Sequence, residues 1–420
     1  MELIWFLASF LLLATSSFAG HQETEQGLNH STLHLKLYHV RGGHDARKSH
    51  LFGPNFFSTP VKAASLNTYN YYVDIGLGTP PKYYSVVIDT GSSFTWVQCH
   101  EHGVGVFNPS ASRTYKKLPC SNTQCNSLEG ATQNHGTCTS LNECKYKASY
   151  ADDSFSVGYL SQDTLTLTQS ETLPGFVYGC GLNIESQIVL FGRTTGLVGL
   201  ARNNLSMISQ LSARYGHDFS YCLPTQRGGS GGSLSIGKDS LTGPSYNFTP
   251  MLPNCPDMDS NLYYLRLSAI VVAGKTVMVA QSQYCNTPTV IDSGTEVTRL
   301  PTLVYADLRD EFKRIMSSKN KTIRTFSDHH FLDTCYEGSL KEMSSYVPEI
   351  RMVFQGEAEL TLAPQNILVE GNEEGTLCLA FADNSHSHGY VIIGSVQQQT
   401  YSVAYDVSNS RIGFAAGGCT

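Results

Sequence analysis

A mainly β chain built as two lobes is the architecture this sequence predicts, and three observations predict it. The chain has 420 residues, more than one ordinary domain holds and enough for two hydrophobic cores. Charged residues make up only 15%, Gly, Ser, Thr and Tyr are frequent, and most apolar stretches are too short for long helices. The third observation is an internal repeat: Val86-Val87-Ile88-Asp89-Thr90-Gly91-Ser92 in the first half is matched by Thr289-Val290-Ile291-Asp292-Ser293-Gly294-Thr295 in the second. In both copies a β-branched run, suited to a buried strand, delivers an Asp into a hydroxyl-Gly-hydroxyl turn that presents its carboxylate.

A single Asp-Thr-Gly is ordinarily just a turn, because Asp, Ser, Thr and Gly are common turn residues. Two such turns from related halves have a chemistry that one lacks. Carboxylates held close together cannot both ionise easily, so they share a proton and titrate as a pair with separated apparent pKa values. The neutral member polarises a carbonyl while the ionised member takes a proton from water. The flanking residues suit this task. Glycine lets backbone N–H groups approach the carboxylates, Ser92 and Thr295 can donate hydroxyls to them, and Thr90 and Ser293 can tie the loops together. These paired motifs resemble those of the pepsin-like aspartic proteases, and finer features below resemble the plant nepenthesin-like branch. The resemblance implies a bilobal fold with one catalytic Asp from each lobe, Asp89 and Asp292, facing a central cleft between the lobes.

In chain order, the apolar run Ile4 to Ala14 followed by Ser17-Phe18-Ala19 reads as a secretory signal peptide, residues 1–19. Its leader lacks Lys and Arg, which leaves a signal anchor as the alternative. Residues 20–65 hold six of the 14 histidines together with Lys36, Arg41, Arg47, Lys48 and Lys62. Here Leu33, Leu35 and Leu37 alternate with His34, Lys36 and Tyr38, the period of a half-buried strand. This stretch is read as a propeptide whose cations lie across an acidic cleft at neutral pH and let go on acidification. A passive folding segment or linker is the other reading.

The N-terminal lobe is expected over residues 66–225. Tyr71 to Pro81 gives a strand and a Gly/Pro turn, the next strand carries Asp89, and Phe94 to Cys99 alternates again. Residues 100–145 are rich in Cys, Asn, Ser, Thr and Gly and poor in apolar periodicity, so they form a stapled surface insertion. Tyr146 to Gly158 reads as strand, turn, strand. The resemblance makes Tyr150 the flap tyrosine that closes over substrate and bonds to the indole of Trp96; read without it, a Trp in a strand is ordinary core. Ala151 and Asp153 stand where the related pattern has glycines, which implies a stiffer or differently shaped flap. Gly196 to Leu200 matches the strand that packs beneath the first catalytic loop. Asn204 to Tyr215, with Leu205, Ile208, Leu211 and Tyr215 on one face, predicts a capped helix.

Gly228-Gly229-Ser230-Gly231-Gly232 formally matches a nucleophile elbow, but that motif needs a strand before it and a helix after it, and this run leads into an alternating strand pattern. Residues 226–245 are therefore read as an inter-lobe segment. The C-terminal lobe, 246–420, repeats the plan with strands through Tyr263 to Val279, then Asp292, then a helix from Thr302 to Met316 with Leu308, Phe312 and Ile315 inward. Val391-Ile392-Ile393-Gly394-Ser395 resembles the second supporting strand, although an Asn is usual at Ser395. Gln397-Gln398-Gln399 and Tyr405-Asp406 follow the nepenthesin-like pattern.

Twelve cysteines without a C-x-x-C pair predict six disulfides rather than zinc, in an oxidising compartment. The resemblance implies Cys120–Cys144, Cys125–Cys138, Cys222–Cys419 and Cys335–Cys378. Two further cysteines usual near Cys99 are missing here, which leaves Cys99 to pair with Cys180. Cys255 and Cys285 are additional and bridge each other in this scheme. His100 and His102 are too sparse a pair to argue for a metal. Sequons at Asn29, Asn204, Asn247 and Asn320 fit a glycoprotein that is extracellular or apoplastic, with the vacuole as alternative. A net charge of −7 without a strong basic patch gives no reason to expect nucleic acid. No later stretch is a membrane span, and Gly413 to Thr420 is too short and weakly apolar for a lipid-anchor signal.

The expected protein is thus a secreted aspartic endopeptidase made as a zymogen, monomeric and without cofactor, cleaving polypeptides at acidic pH through water activated by Asp89 and Asp292. A non-catalytic pepsin-like inhibitor or binding protein is the rival. A Cys-rich structural or adhesion protein accounts for the disulfides and not for the duplicated motif.

Overall fold

The computed structural model describes residues 32–39, 70–101, 105–168, 170–185, 194–225, 232–256, 258–279, 284–324, 332–371, 373–384, 389–417 and 419. The expected signal peptide, most of the propeptide, Asn29, His102 and Gly228 to Gly231 lie outside them.

The chain is mainly β and two-lobed, and a platform of strands joins the lobes. In spatial order it runs Asn247–Pro250, Arg411–Ala416, Tyr401–Asp406, Phe219–Cys222, Gly232–Ile236 and Leu33–His39, and it continues through Tyr71–Leu77 into the N-terminal lobe. Its centre is covered on both faces, since all six residues of Tyr401–Asp406 are buried. The alternation read at Leu33, Leu35 and Leu37 becomes an edge of this platform. All three leucines are buried, and Leu33 to Leu37 pair antiparallel with Ile236 to Gly232. Burying each such side chain contributes about 1.5–3 kcal/mol, so the strand is held by its own core as well as its ladder.

In the N-terminal lobe, Lys82–Asp89 lies parallel to Gly196–Gly199, with Gly199 opposite Asp89. The C-terminal lobe repeats the arrangement, with Thr289–Ile291 parallel to Val391–Ile393. A second sheet of this lobe, Lys275–Met278, Leu267–Val272, Ile350–Phe354 and Glu359–Leu362, packs under the helix Thr302–Ser318. Leu308, Phe312 and Ile315 are buried there as their helical spacing predicts. The same helix buries Glu311, which Lys275 and Arg314 neutralise at 3.0 and 2.5 Å. The helix expected from Asn204 starts later, at Met207, because the Ser206 hydroxyl accepts from the Ser209 amide at 3.2 Å and caps it there.

All cysteines are paired. The structure contains Cys99–Cys180, Cys222–Cys419, Cys255–Cys285 and Cys335–Cys378. Within the insertion the expected connectivity is wrong: the bridges are Cys120–Cys138 and Cys125–Cys144, not Cys120–Cys144 and Cys125–Cys138. Burial explains the exchange. Cys125, on the short helix Thr123–Asn126, and Cys144, at the start of Cys144–Ser149, both point into the core, whereas Cys138 is exposed and Cys120 only half-buried. Inner pairs with inner and outer with outer.

Candidate active site

Each strand of the repeat ends by lifting its Asp to the seam between the lobes, and the two turns meet there. Thr90 and Ser293 interlock almost symmetrically. The Thr90 amide donates to Ser293 Oγ at 3.1 Å and the Ser293 amide to Thr90 Oγ1 at 3.0 Å. Each hydroxyl then donates across the seam, Thr90 Oγ1 to the Ile291 carbonyl at 2.9 Å and Ser293 Oγ to the Ile88 carbonyl at 3.0 Å. All four groups are buried, so breaking any one of these bonds strands a partner at a cost of about 1–3 kcal/mol.

Above this lock sit the carboxylates. The Gly91 amide donates to Asp89 Oδ1 at 2.8 Å and the Ser92 hydroxyl to Asp89 Oδ2. The Gly294 amide donates to Asp292 Oδ1 at 2.8 Å and the Thr295 hydroxyl to Asp292 Oδ2 at 2.6 Å. The glycines are needed because each loop presses on the opposite carboxylate. A Cβ on Gly91 would lie 2.7 Å from Asp292 Oδ2, and one on Gly294 would lie 2.5 Å from Asp89 Oδ1. The two side chains are within hydrogen-bonding reach of one another. Burial, and then the charge of Asp292, push the Asp89 carboxyl well above the usual range; the Ser92 and Gly91 hydrogen bonds pull less strongly the other way. The pair therefore holds a proton where an isolated Asp has lost it.

Tyr150 stands at the turn of the hairpin formed by Cys144–Ser149 and Phe155–Thr166. The buried Trp96 donates its indole N–H to the Tyr150 hydroxyl at 2.6 Å. Burial, reinforced by the Asp89 charge, pushes the Tyr150 phenol far up, so it stays a neutral hydroxyl. Of the two residues at glycine positions, only Asp153 takes the left-handed backbone, with φ +64°. Asp tolerates that region better than most side chains. The turn is further fixed by Asp152, whose carboxylate accepts the Ser154 amide at 3.1 Å and hydroxyl at 2.5 Å. Ala151 is not forced into left-handed backbone at all.

Sequence reasoning placed Gln398 in a family-like pattern and gave it no role at the site. It is fully buried and its side-chain amide donates to the carbonyls of Asp292, at 3.0 Å, and Ile393, at 2.8 Å, while Tyr221 donates to its Oε1 at 2.5 Å. Gln397 likewise accepts from the Thr298 amide and hydroxyl. Three consecutive glutamines in a stretch that otherwise reads as core were the available signal, since a buried amide needs partners for both ends.

Two family models match the chain, described as the N-terminal and C-terminal parts of xylanase inhibitors, over residues 71–238 and 262–416. Among curated relatives, an aspartyl protease family protein of Arabidopsis thaliana is 39% identical over 370 residues, covering 86% of this chain and 75% of that one. Aspartic proteinase nepenthesin-2 of Nepenthes gracilis is 31% identical over 372 residues, covering 86% and 80%. Among solved structures, conglutin gamma from lupine seeds superposes with a TM-score of 0.68 at 19% identity, covering 92% of this chain and 95% of that one. Basic 7S globulin from soybean gives 0.68 at 18%, covering 93% and 99%. These two structures bear on the fold alone. Matching models on both lobes, together with relatives above 30% identity over most of their length, establish the family: this chain belongs to the plant pepsin-like aspartic proteases.

Proposed function

We propose that the protein is a secreted aspartic endopeptidase that hydrolyses peptide bonds at acidic pH. The observation that carries this reading is the interlocked pair of loops, which brings two carboxylates into contact with every supporting donor in place. An extended peptide lies in the cleft between the lobes beneath Tyr150. A water held by both carboxylates attacks the scissile carbonyl carbon and gives its proton to the ionised Asp, while the neutral Asp protonates the carbonyl oxygen. The tetrahedral diol collapses as a proton passes to the leaving nitrogen, giving an acid and an amine and restoring one proton to the pair. No acyl-enzyme forms.

The zymogen belongs to the same reading. Leu33–His39 is seated in the platform, and the cationic segment between it and Asn70 is of a length to reach the acidic cleft. The exposed Asn204, Asn247 and Asn320 are the proposed glycan acceptors. The rival reading, an inhibitor or binding protein on this fold, draws on the description of the matching family models, and the intact loops weigh against it. The test is to acidify the purified full-length protein and incubate it with a denatured protein substrate, beside Asp89→Asn. Acid-dependent digestion confined to the wild type is expected. A folded wild type that cleaves nothing across the acidic range would defeat the endopeptidase reading in favour of the binding one.

A further inference from the structure

We propose that Asn261 is a positioning residue that couples the C-terminal lobe to the first catalytic loop; the role at catalysis rests on the endopeptidase reading above. Asn261 is 9% exposed, and its whole polar complement is engaged. Its amide donates to Asp259 Oδ1 at 2.9 Å within its own loop. The other three bonds leave that loop for the N-terminal lobe. The Asn261 carbonyl accepts from the Arg202 amide at 2.8 Å, Oδ1 accepts from Asn203 Nδ2 at 3.2 Å, and Nδ2 donates to the Gly130 carbonyl at 2.5 Å. One side chain thus joins the C-terminal lobe both to the Cys-rich insertion and to the segment behind the catalytic loop.

That segment is short and directly connected to the chemistry. The Leu200 amide donates to the Asp89 carbonyl at 2.8 Å and the Ala201 amide to the Ser92 carbonyl at 3.0 Å, immediately before Arg202 takes Asn261. A shift at Asn261 therefore reaches the backbone that carries Asp89 through one run of consecutive residues. The strand platform and the lock between Thr90 and Ser293 already join the lobes. Asn261 adds to these a tie that ends on the segment behind Asp89 itself, and so restrains the relative orientation of the two carboxylates. The loop that presents Asn261 is itself closed by Cys255–Cys285, and Asp259 adds an outer bond, accepting Gln133 Nε2 at 3.0 Å.

The experiment compares Asn261→Ala, Asn203→Ala, their double variant and Gln133→Ala in the full-length, acid-activated protein. Asn261→Ala is expected to lower kcat on a fluorogenic peptide about tenfold with KM held within about twofold. Amide exchange at Leu200, Ala201 and Arg202 should accelerate while Tyr401–Asp406 keeps its protection. Asn203→Ala should lower kcat by about threefold, and the double variant should be no worse than Asn261→Ala, because both remove the same coupling. Gln133→Ala, whose bond does not touch the 200–203 segment, should leave kcat unchanged. Should Asn261→Ala fail to fold, Asn203→Ala carries the comparison. A lower melting temperature with unchanged kcat and unchanged exchange at Leu200 to Arg202 would overturn the proposal. If the wild type cleaves no peptide, the endopeptidase reading fails on its own, and the exchange measurement still decides whether Asn261 couples the lobes.

Discussion

The two halves of the candidate site share one scaffold and differ in what covers it. Around Asp89 and around Asp292 the same groups recur: an amide two residues on, a hydroxyl three residues on, and a Thr or Ser reaching across to the other lobe. Over the N-terminal half lies the Tyr150 hairpin, braced by Trp96, and Asp89 is 6% exposed with its carboxyl pushed up. Asp292 is half-buried, and its backbone carbonyl is held from below by Gln398. The difference teaches that duplication supplies the acid pair, while the cover over it is not duplicated: a braced tyrosine hairpin lies over one half and a buried glutamine holds the other from below.

The largest expected effect breaks both halves equally. Asp89→Asn and Asp292→Asn should each lower kcat/KM by about 10³-fold or more, since neither carboxyl can do acid and base work alone; assay of a fluorogenic peptide at acidic pH checks this. Gly91→Ala and Gly294→Ala come next. Each drives a methyl into the opposite carboxylate, and a displacement of about 1 Å there should cost about 10²-fold in kcat while the protein still melts cooperatively. Tyr150→Phe affects only the covered half. Losing the bond from Trp96 should reduce kcat/KM by about tenfold, and Trp96→Phe combined with it should add little, as a double-mutant cycle would report.

Stability against pH sharpens the asymmetry. Because the folded-state Asp89 carboxyl is raised, its contribution to stability is full below the ordinary carboxylate range and is lost as pH rises through the raised value. Melting temperatures from acid to neutral pH should therefore fall more steeply for the wild type than for Asp89→Asn. The smallest effect is expected at the flap turn. Asp153→Gly relieves left-handed strain and should change stability by less than about 1 kcal/mol, whereas Ala151→Gly relieves none; thermal melts of the two separate them.

Much of this was legible in the sequence for a physical reason. A strand that ends in Asp-hydroxyl-Gly-hydroxyl has few ways to satisfy its turn, so Asp89, Asp292 and their supporting residues could be read in place. The alternation at Leu33, Leu35 and Leu37 likewise gave a strand. What stayed hidden depends on long-range packing. The insertion cysteines are close in sequence, so spacing does not discriminate among pairings; which of them face the core does, and that is set by how Thr123–Asn126 lies against Cys144–Ser149. The roles of Gln398 and Asn261 were not legible, because the bonds that define them, to Asp292 and to Asn203, reach over fifty residues away in sequence. Sequence likewise did not distinguish the two flap departures, of which only Asp153 sits where the backbone turns left-handed.

The central claim, that these two carboxylates share a proton to activate water, is tested most directly by the pH dependence of kcat/KM for the acid-activated protein. A bell confined to acidic pH, and absent in Asp89→Asn, is the expected result. A rate that climbs toward neutral pH, or a profile that survives in Asp89→Asn, would contradict it.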